Sequence, residues 1–319
     1  MKKVFWLVAV ISGMYCAACQ RGEQQSDDGR PTVALVMKTL NNPFFIEMQK
    51  GAQEAADLLG INLLLQAAER EVDVEKQMQI IENLIQRNVD AICVTPSGSK
   101  EIVPAIIKAN KENIPVLIID TRVDAAALAE AGGRITTFIG SDNYEGGKVA
   151  GAYLGRVLAG SGKVAVLEGI PGHETGDQRL NGFTDAIGEF PGIEVVASQT
   201  ANWERDQGFN VFQNILQSNP GVKALFACND MMALGAIEAI AAAGKTGEVT
   251  VIGFDAVPDA RAAIKQGTMS GSVAQFSSEM GRLAVDSAAK VLNGEEIPDY
   301  IPVAIELITQ AKLAAIDSK

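Results

Sequence analysis

From Thr32 onward, short runs of β-branched residues alternate with amphipathic stretches of helical length, and this alternation confines the chain to βαβ units around parallel sheets. The runs predict strands at 32–37, 62–65, 91–94, 116–119, 136–139, 164–167, 194–197, 224–227, 250–253 and 270–274. Between them, residues 43–59 set Phe45, Met48, Ala52, Ala55, Ala56 and Leu59 on one helical face, and residues 73–87 do the same with Val74, Met78, Ile81 and Ile85. Asp142 reads as a helix N-cap, and Gly60, Gly160 and Gly244 as helix stops. Ten strands are too many for one ordinary doubly wound sheet, so the expected fold is α/β with two Rossmann-like, doubly wound lobes. No long linker divides the halves, so crossings between lobes must be short, and short crossings make a hinge.

Ahead of this body, Lys2 and Lys3 followed by an apolar stretch from Val4 to Ile11 read as an export signal, too short to span a bilayer. Tyr15-Cys16-Ala17-Ala18-Cys19-Gln20 then resembles a bacterial lipobox. Two small residues precede Cys19, which is the expected lipidated residue; bulky Tyr15 disfavours Cys16. Residues 1–18 are thus expected to be a lipoprotein signal peptide and 19–30 a flexible tether, rich in Gln, Asp, Glu, Gly and Ser. Removing a leader with two lysines and no acid takes the formal charge from -12 to -14, which disfavours nucleic-acid backbones. The expected location is the bacterial cell envelope, facing the periplasm or the exterior, with the membrane touched only through the lipid. Cys93 and Cys228 lie in short apolar runs and are expected to be buried strand thiols; a disulfide between them would lock two lobes together.

In open parallel sheets, ligands gather beyond the carboxyl ends of strands. Those positions carry Lys38 to Phe45, Thr95-Pro96-Ser97, Asp120-Thr121-Arg122, His173 to Asp177, Trp203, Asn229-Asp230, Phe254-Asp255 and Gln275. Carboxylates, amides, cations and flat rings together suit a sugar, whose hydroxyls donate and accept while its C–H faces pack on rings. Each residue also has a structural reading: Phe44 and Phe45 as core, Asn229 as a helix N-cap, Asp255 as a turn residue. Their joint placement at successive strand ends favours a site.

Residues 39–45 (Thr39-Leu40-Asn41-Asn42-Pro43-Phe44-Phe45), 226–236 (with Asn229-Asp230 and Ala233-Leu234-Gly235) and 251–259 (with Gly253-Phe254-Asp255) resemble the ribose-binding protein family of sugar importers. The likeness runs from Thr32 past Gln275. It implies the type I periplasmic binding protein fold, with a three-segment hinge near Ser141, Gln275 and Ala304. The lobes would then be 31–141 with 276–304, and 142–275 with 305–319. The resemblance implies a ligand set of Lys38, Asn42, Phe44, Phe45, Thr95, Asp120, Asp177, Trp203, Asn229, Phe254, Asp255 and Gln275, with Phe44, Phe45 and Trp203 sandwiching the ring. Lys38, Thr95, Thr121 and Asp177 depart from the ribose pattern, the last two where arginines are expected. Two guanidiniums therefore look absent, and fructose- or polyol-type binders become the closer comparison.

The implied function is capture of a monosaccharide or polyol by hinge closure and delivery to an ABC transporter permease, by a monomer with no cofactor or metal. The alternative is a receptor subunit that presents its ligand to a chemoreceptor or sensor kinase. An enzyme reading finds a single histidine, His173, and no G-x-S-x-G. Gly160 to Lys163 lacks the remaining residues of a phosphate loop and reads as a helix-to-strand turn. A sugar-responsive DNA-binding regulator would carry a helix-turn-helix head where the leader and lipobox stand.

Overall fold

The computed structural model describes residues 29–318. The first lobe opens with β1 (Thr32–Met37), α1 (Pro43–Leu59), β2 (Asn62–Ala67), α2 (Val74–Gln86), β3 (Ala91–Val94), α3 (Val103–Lys111), β4 (Val116–Ile119), α4 (Ala125–Glu130) and β5 (Thr137–Gly140). The second is built from α5 (Asn143–Val157), β6 (Ser161–Glu168), α6 (Glu174–Gly188), β7 (Gly192–Thr200), α7 (Arg205–Ser218), β8 (Val222–Ala227), α8 (Asp230–Ala242), β9 (Thr250–Asp255), α9 (Pro258–Gln266) and β10 (Gly271–Ala274). The chain then returns with α10 (Ser277–Leu292) and β11 (Tyr300–Pro302), and ends in β12 (Glu306–Thr309) and α11 (Gln310–Asp317).

Two six-stranded sheets result, in the orders β11-β5-β4-β3-β1-β2 and β12-β10-β9-β8-β6-β7. All pairings are parallel except β10 with β12. The fold is therefore the two-lobed α/β architecture expected. The chain passes between the sheets through Ser141–Asp142, Gln275–Phe276 and Val303–Ile305, each only two or three residues long.

Helices cover both faces of each sheet, so β3, β4, β5 and β10 are buried at every residue and read as unbroken apolar or small runs. Local signals fix the helix ends. Asn42 caps α1 by accepting from the Phe44 backbone N–H, Pro43 starts it, and Gly60 ends it in the left-handed region at φ 66°. Helix pairs approach across glycines: a Cβ on Gly281 of α10 would sit 1.9 Å from the Met48 carbonyl of α1, and one on Gly147 of α5 would sit 2.1 Å from the Arg179 carbonyl of α6. Gly160 sits at φ 75° immediately before β6, the helix-to-strand turn anticipated. Cys93 and Cys228 are free, buried thiols, both pushed up to about 12 by burial.

Candidate functional site

The carboxyl ends of both sheets face one crevice, with about 260 Å³ of space unfilled by protein. From the first lobe come Lys38 after β1, Asn42, Phe44 and Phe45 at the start of α1, Glu71 before α2, and Asp120 after β4. From the second come Thr175 and Arg179 on α6, Trp203 after β7, Asn229 after β8 and Asp255 at the end of β9. Three of these residues hold positive φ: Asp120 at 64°, Trp203 at 68° and Asp255 at 108°. L-residues adopt that region at a cost, and its concentration at the crevice turns these side chains inward from the strand ends.

In the first lobe, the Lys38 Nζ donates to Thr121 Oγ1 at 2.7 Å and Asp120 Oδ2 at 3.3 Å, and lies 4.0 Å from Glu71 Oε2. Asn42 uses its amide twice, accepting from Phe44 N and donating to Glu71 Oε1 at 3.1 Å. Burial raises the Glu71 carboxyl above its usual range, and Lys38 only partly offsets this. Phe44 and Phe45 meet edge to face with centroids 5.2 Å apart.

In the second lobe, Arg179 is 4% exposed and anchored twice, its Nε donating to Asn143 Oδ1 and its Nη1 to the Cys228 carbonyl, both at 2.8 Å. It also lies 3.5 Å from Asp255 Oδ1 and 4.0 Å above the Phe254 ring. Gln275 Nε2 donates to the same Asp255 oxygen at 2.6 Å. Burial pushes Asp255 well above the usual carboxylate range; Arg179 pulls it down and neighbouring Asp230 pushes it up. Asn229 caps α8 through Met232 N and donates to the Trp203 carbonyl at 3.1 Å.

Four residues of the sequence-derived set stand outside the lining. Thr95 lies beneath it, its Oγ1 accepting from the Lys38 backbone N–H at 3.1 Å. Phe254 supports Arg179, and Gln275 stands behind Asp255. Asp177 is exposed and does not line the crevice. The reason is helical phase: Thr175, Arg179, Phe183 and Ala186 form the buried face of α6, and Asp177, two residues from Arg179, falls about 200° away around the helix. The expectation of two missing guanidiniums is therefore corrected, because Arg179 supplies one. At the other position, Arg122 points away and stacks over Phe138 at 3.8 Å and Tyr300 at 4.8 Å, while the Lys38 ammonium fills the place beside Thr121. Glu71 was not read from the sequence either, and Thr175, although within the strand-end segment His173 to Asp177, was left out of the ligand set; the i, i+4 spacing of Thr175, Arg179 and Phe183 was the available signal for two of the three.

A larger opening of about 1170 Å³ lies outside Phe44 and Asp255, walled by α9 and the start of α10. Its charges, among them Glu47, Arg261, Lys265 and Glu279, sit on helices rather than converging from strand ends, so it lacks the crevice's dense set of polar groups.

The sequence profile of the periplasmic binding protein domain matches residues 33–296. The chain belongs to this family. Among its relatives, the D-allose-binding periplasmic protein of Escherichia coli is 37% identical over 284 residues, 87% of this chain and 91% of that protein. The ribose import binding protein of the same organism is 36% identical and covers 97% of this chain and 99% of its own length. These relatives bear out the resemblance to ribose-binding proteins. A solved solute-binding protein of an ABC transporter from Actinobacillus succinogenes, with bound D-allose, superposes on this periplasmic binding protein with a TM-score of 0.86 at 41% identity, covering 90% of this chain and all of the other. One from Bacillus halodurans with bound myo-inositol gives 0.83 at 31% identity, covering 92% and 99%.

Proposed function

We propose that this periplasmic binding protein captures one neutral monosaccharide or sugar-like polyol between its lobes and delivers it to the permease of an ABC importer. The observation that carries the reading is the convergence of Lys38, Asn42 and Asp120 from one sheet with Arg179, Trp203, Asn229 and Asp255 from the other on a single small crevice. The Lys38 and Arg179 cations there can each strengthen a hydrogen bond to a hydroxyl, at about 1.5–3 kcal/mol apiece, and the carboxyls of Glu71, Asp120 and Asp255 offer further partners. A few such bonds reach the roughly -8 kcal/mol of a micromolar complex after ordering costs. The lobes, 31–141 with 276–304 and 142–275 with 305–319, rotate about the three crossings, and ligand raises the closed population by its contacts to the second lobe.

The relatives' names favour aldoses, and the Lys38–Thr121 pair in place of an arginine favours a ligand other than ribose. Calorimetric titration with D-allose, D-ribose, D-fructose, myo-inositol and pentitols tests both points. Micromolar or tighter binding of one of them, with ribose not the tightest, is expected. Absence of heat with every neutral polyol overturns the function, and ribose as the tightest ligand overturns the specificity. The protein acts as a monomer, tethered to the membrane by lipid on Cys19. That residue lies outside the described ones; loss of acyl mass and release from membranes in Cys19→Ala is the check.

A further inference from the structure

His173, the only histidine of the chain, lies where the lobes meet and has no part in the contacts assigned above. It is 5% exposed, and its Nδ1 accepts the Trp203 indole N–H at 3.4 Å. Its ring also faces the backbone carbonyl of Ser97, which belongs to the other lobe and favours a proton on the ring. With Nδ1 accepting, the remaining ring nitrogen carries the proton and is the one able to donate to that carbonyl. Ser97 is a firm anchor, because buried Gln77 accepts from its backbone N–H at 2.8 Å and donates to the Thr95 carbonyl at 2.8 Å.

We propose that His173 is a positioning residue that seats the Trp203 ring against the ligand and does so fully only when the lobes are together, so that sugar binding requires a neutral imidazole. The proposal rests on the function proposed above. Only the neutral ring can accept from the indole and donate to Ser97 at once; protonation replaces the acceptor with a second donor facing the indole N–H. The surroundings oppose protonation on geometric grounds as well. His173 sits at the N-terminus of α6, the positive end of the helix dipole; Lys38 and Asp120 from the first lobe are the charged groups acting on its ring, and Glu174 follows it in the chain. Burial, then Lys38, lower it from the ordinary 6.5 to about 4, while Ser97 and Asp120 pull the other way.

The sign follows from linkage. Open lobes leave the imidazole in water with an ordinary affinity for protons, and closure makes it give the proton up. Ligand affinity through this group is thus fully present above pH 6.5 and declines as the pH falls towards about 4. The raised carboxyls of Glu71, Glu174 and Asp255 work in the opposite direction, so the comparison must be between variants.

The experiment measures the dissociation constant of D-allose, or of whichever sugar of the panel binds tightest, at pH 7.5 and 5.0. Trp203 is the sole tryptophan outside the leader that carries Trp6, so fluorescence of the mature chain reports its seating directly. His173→Gln, whose amide can accept and donate, should bind within about threefold of the parent at pH 7.5, whereas His173→Ala binds at least roughly tenfold more weakly with an altered Trp203 emission. Between the two pH values, the parent should lose roughly tenfold more affinity than His173→Gln. Parallel pH profiles, or an alanine variant equal to the parent, overturn the proposal. A parent that binds no sugar at either pH overturns the proposed function instead.

Discussion

The Asp255 carboxylate is removed from water, faces a cation at 3.5 Å and accepts from an amide at 2.6 Å, so its usefulness to a ligand depends on its neighbours. Arg179 matters most among them. Its planar fork contacts Asn143, the Cys228 carbonyl and Asp255 together, which an ammonium cannot reproduce. Arg179→Lys is therefore expected to weaken sugar binding about 10- to 100-fold by calorimetry, roughly 1.4–2.7 kcal/mol, and to change the ranking of sugars. Asp230, just behind, titrates with a sign of its own. It accepts from Ser272 Oγ and Val257 N, yet full burial pushes it up to about 7 from an ordinary 3.8. A carboxyl raised on folding binds protons in the native state, so its contribution is fully present below pH 3.8 and is lost as the pH climbs through about 7. Asp230→Asn should accordingly flatten the part of the melting-temperature profile that falls between pH 4.5 and 7, which calorimetric scans at several pH values would detect.

At the level of elements, glycines set how closely helices that carry site residues can pack. A methyl on Gly147 would collide with the Arg179 backbone at 2.1 Å and the Phe183 N at 2.9 Å, so α6 must shift, and Arg179 with it. Gly147→Ala is expected to cost roughly 1–3 kcal/mol in denaturant unfolding and to weaken binding in the same preparation. Gly281→Ala, at 1.9 Å from the Met48 carbonyl, should cost a similar amount by parting α10 from α1 in the other lobe. The same elements show what the chain discloses before folding. Strands such as Ala91–Val94 and Val116–Ile119 are buried on both faces and appear as uninterrupted apolar runs, so their positions were legible. Tyr300–Pro302 and Glu306–Thr309 were not, because three or four residues carry no periodicity and one run contains a proline; pairing to β5 and β10 makes them strands. Asp120, Asn229 and Asp255 were legible as strand ends. Arg179 was hidden because it lies within a helix, where the face presented, rather than proximity to a strand end, decides what reaches the crevice.

For the molecule as a whole, contacts that make the ligand fit can be separated from contacts that only hold the lobes together. Arg122 of the first lobe stacks on its own Phe138 and Tyr300 and reaches Glu174 of the second lobe at 3.9 Å, without lining the crevice. Such a pair exists only when the lobes meet, so it contributes to the closing equilibrium and is indifferent to which sugar is inside. Both side chains keep partial access to water, which limits the pair to about 0.2–1 kcal/mol. Arg122→Gln should therefore weaken every ligand by the same factor, about 1.4- to 5-fold, and leave the ratios between sugars unchanged. Arg179→Lys, by contrast, should alter those ratios, since its guanidinium lines the crevice. Titrating both variants with the same panel distinguishes the two roles. A change of sugar ranking in Arg122→Gln would mean that closure and recognition are not separable here, because a cross-lobe contact outside the crevice would then be reshaping the space in which the ligand sits.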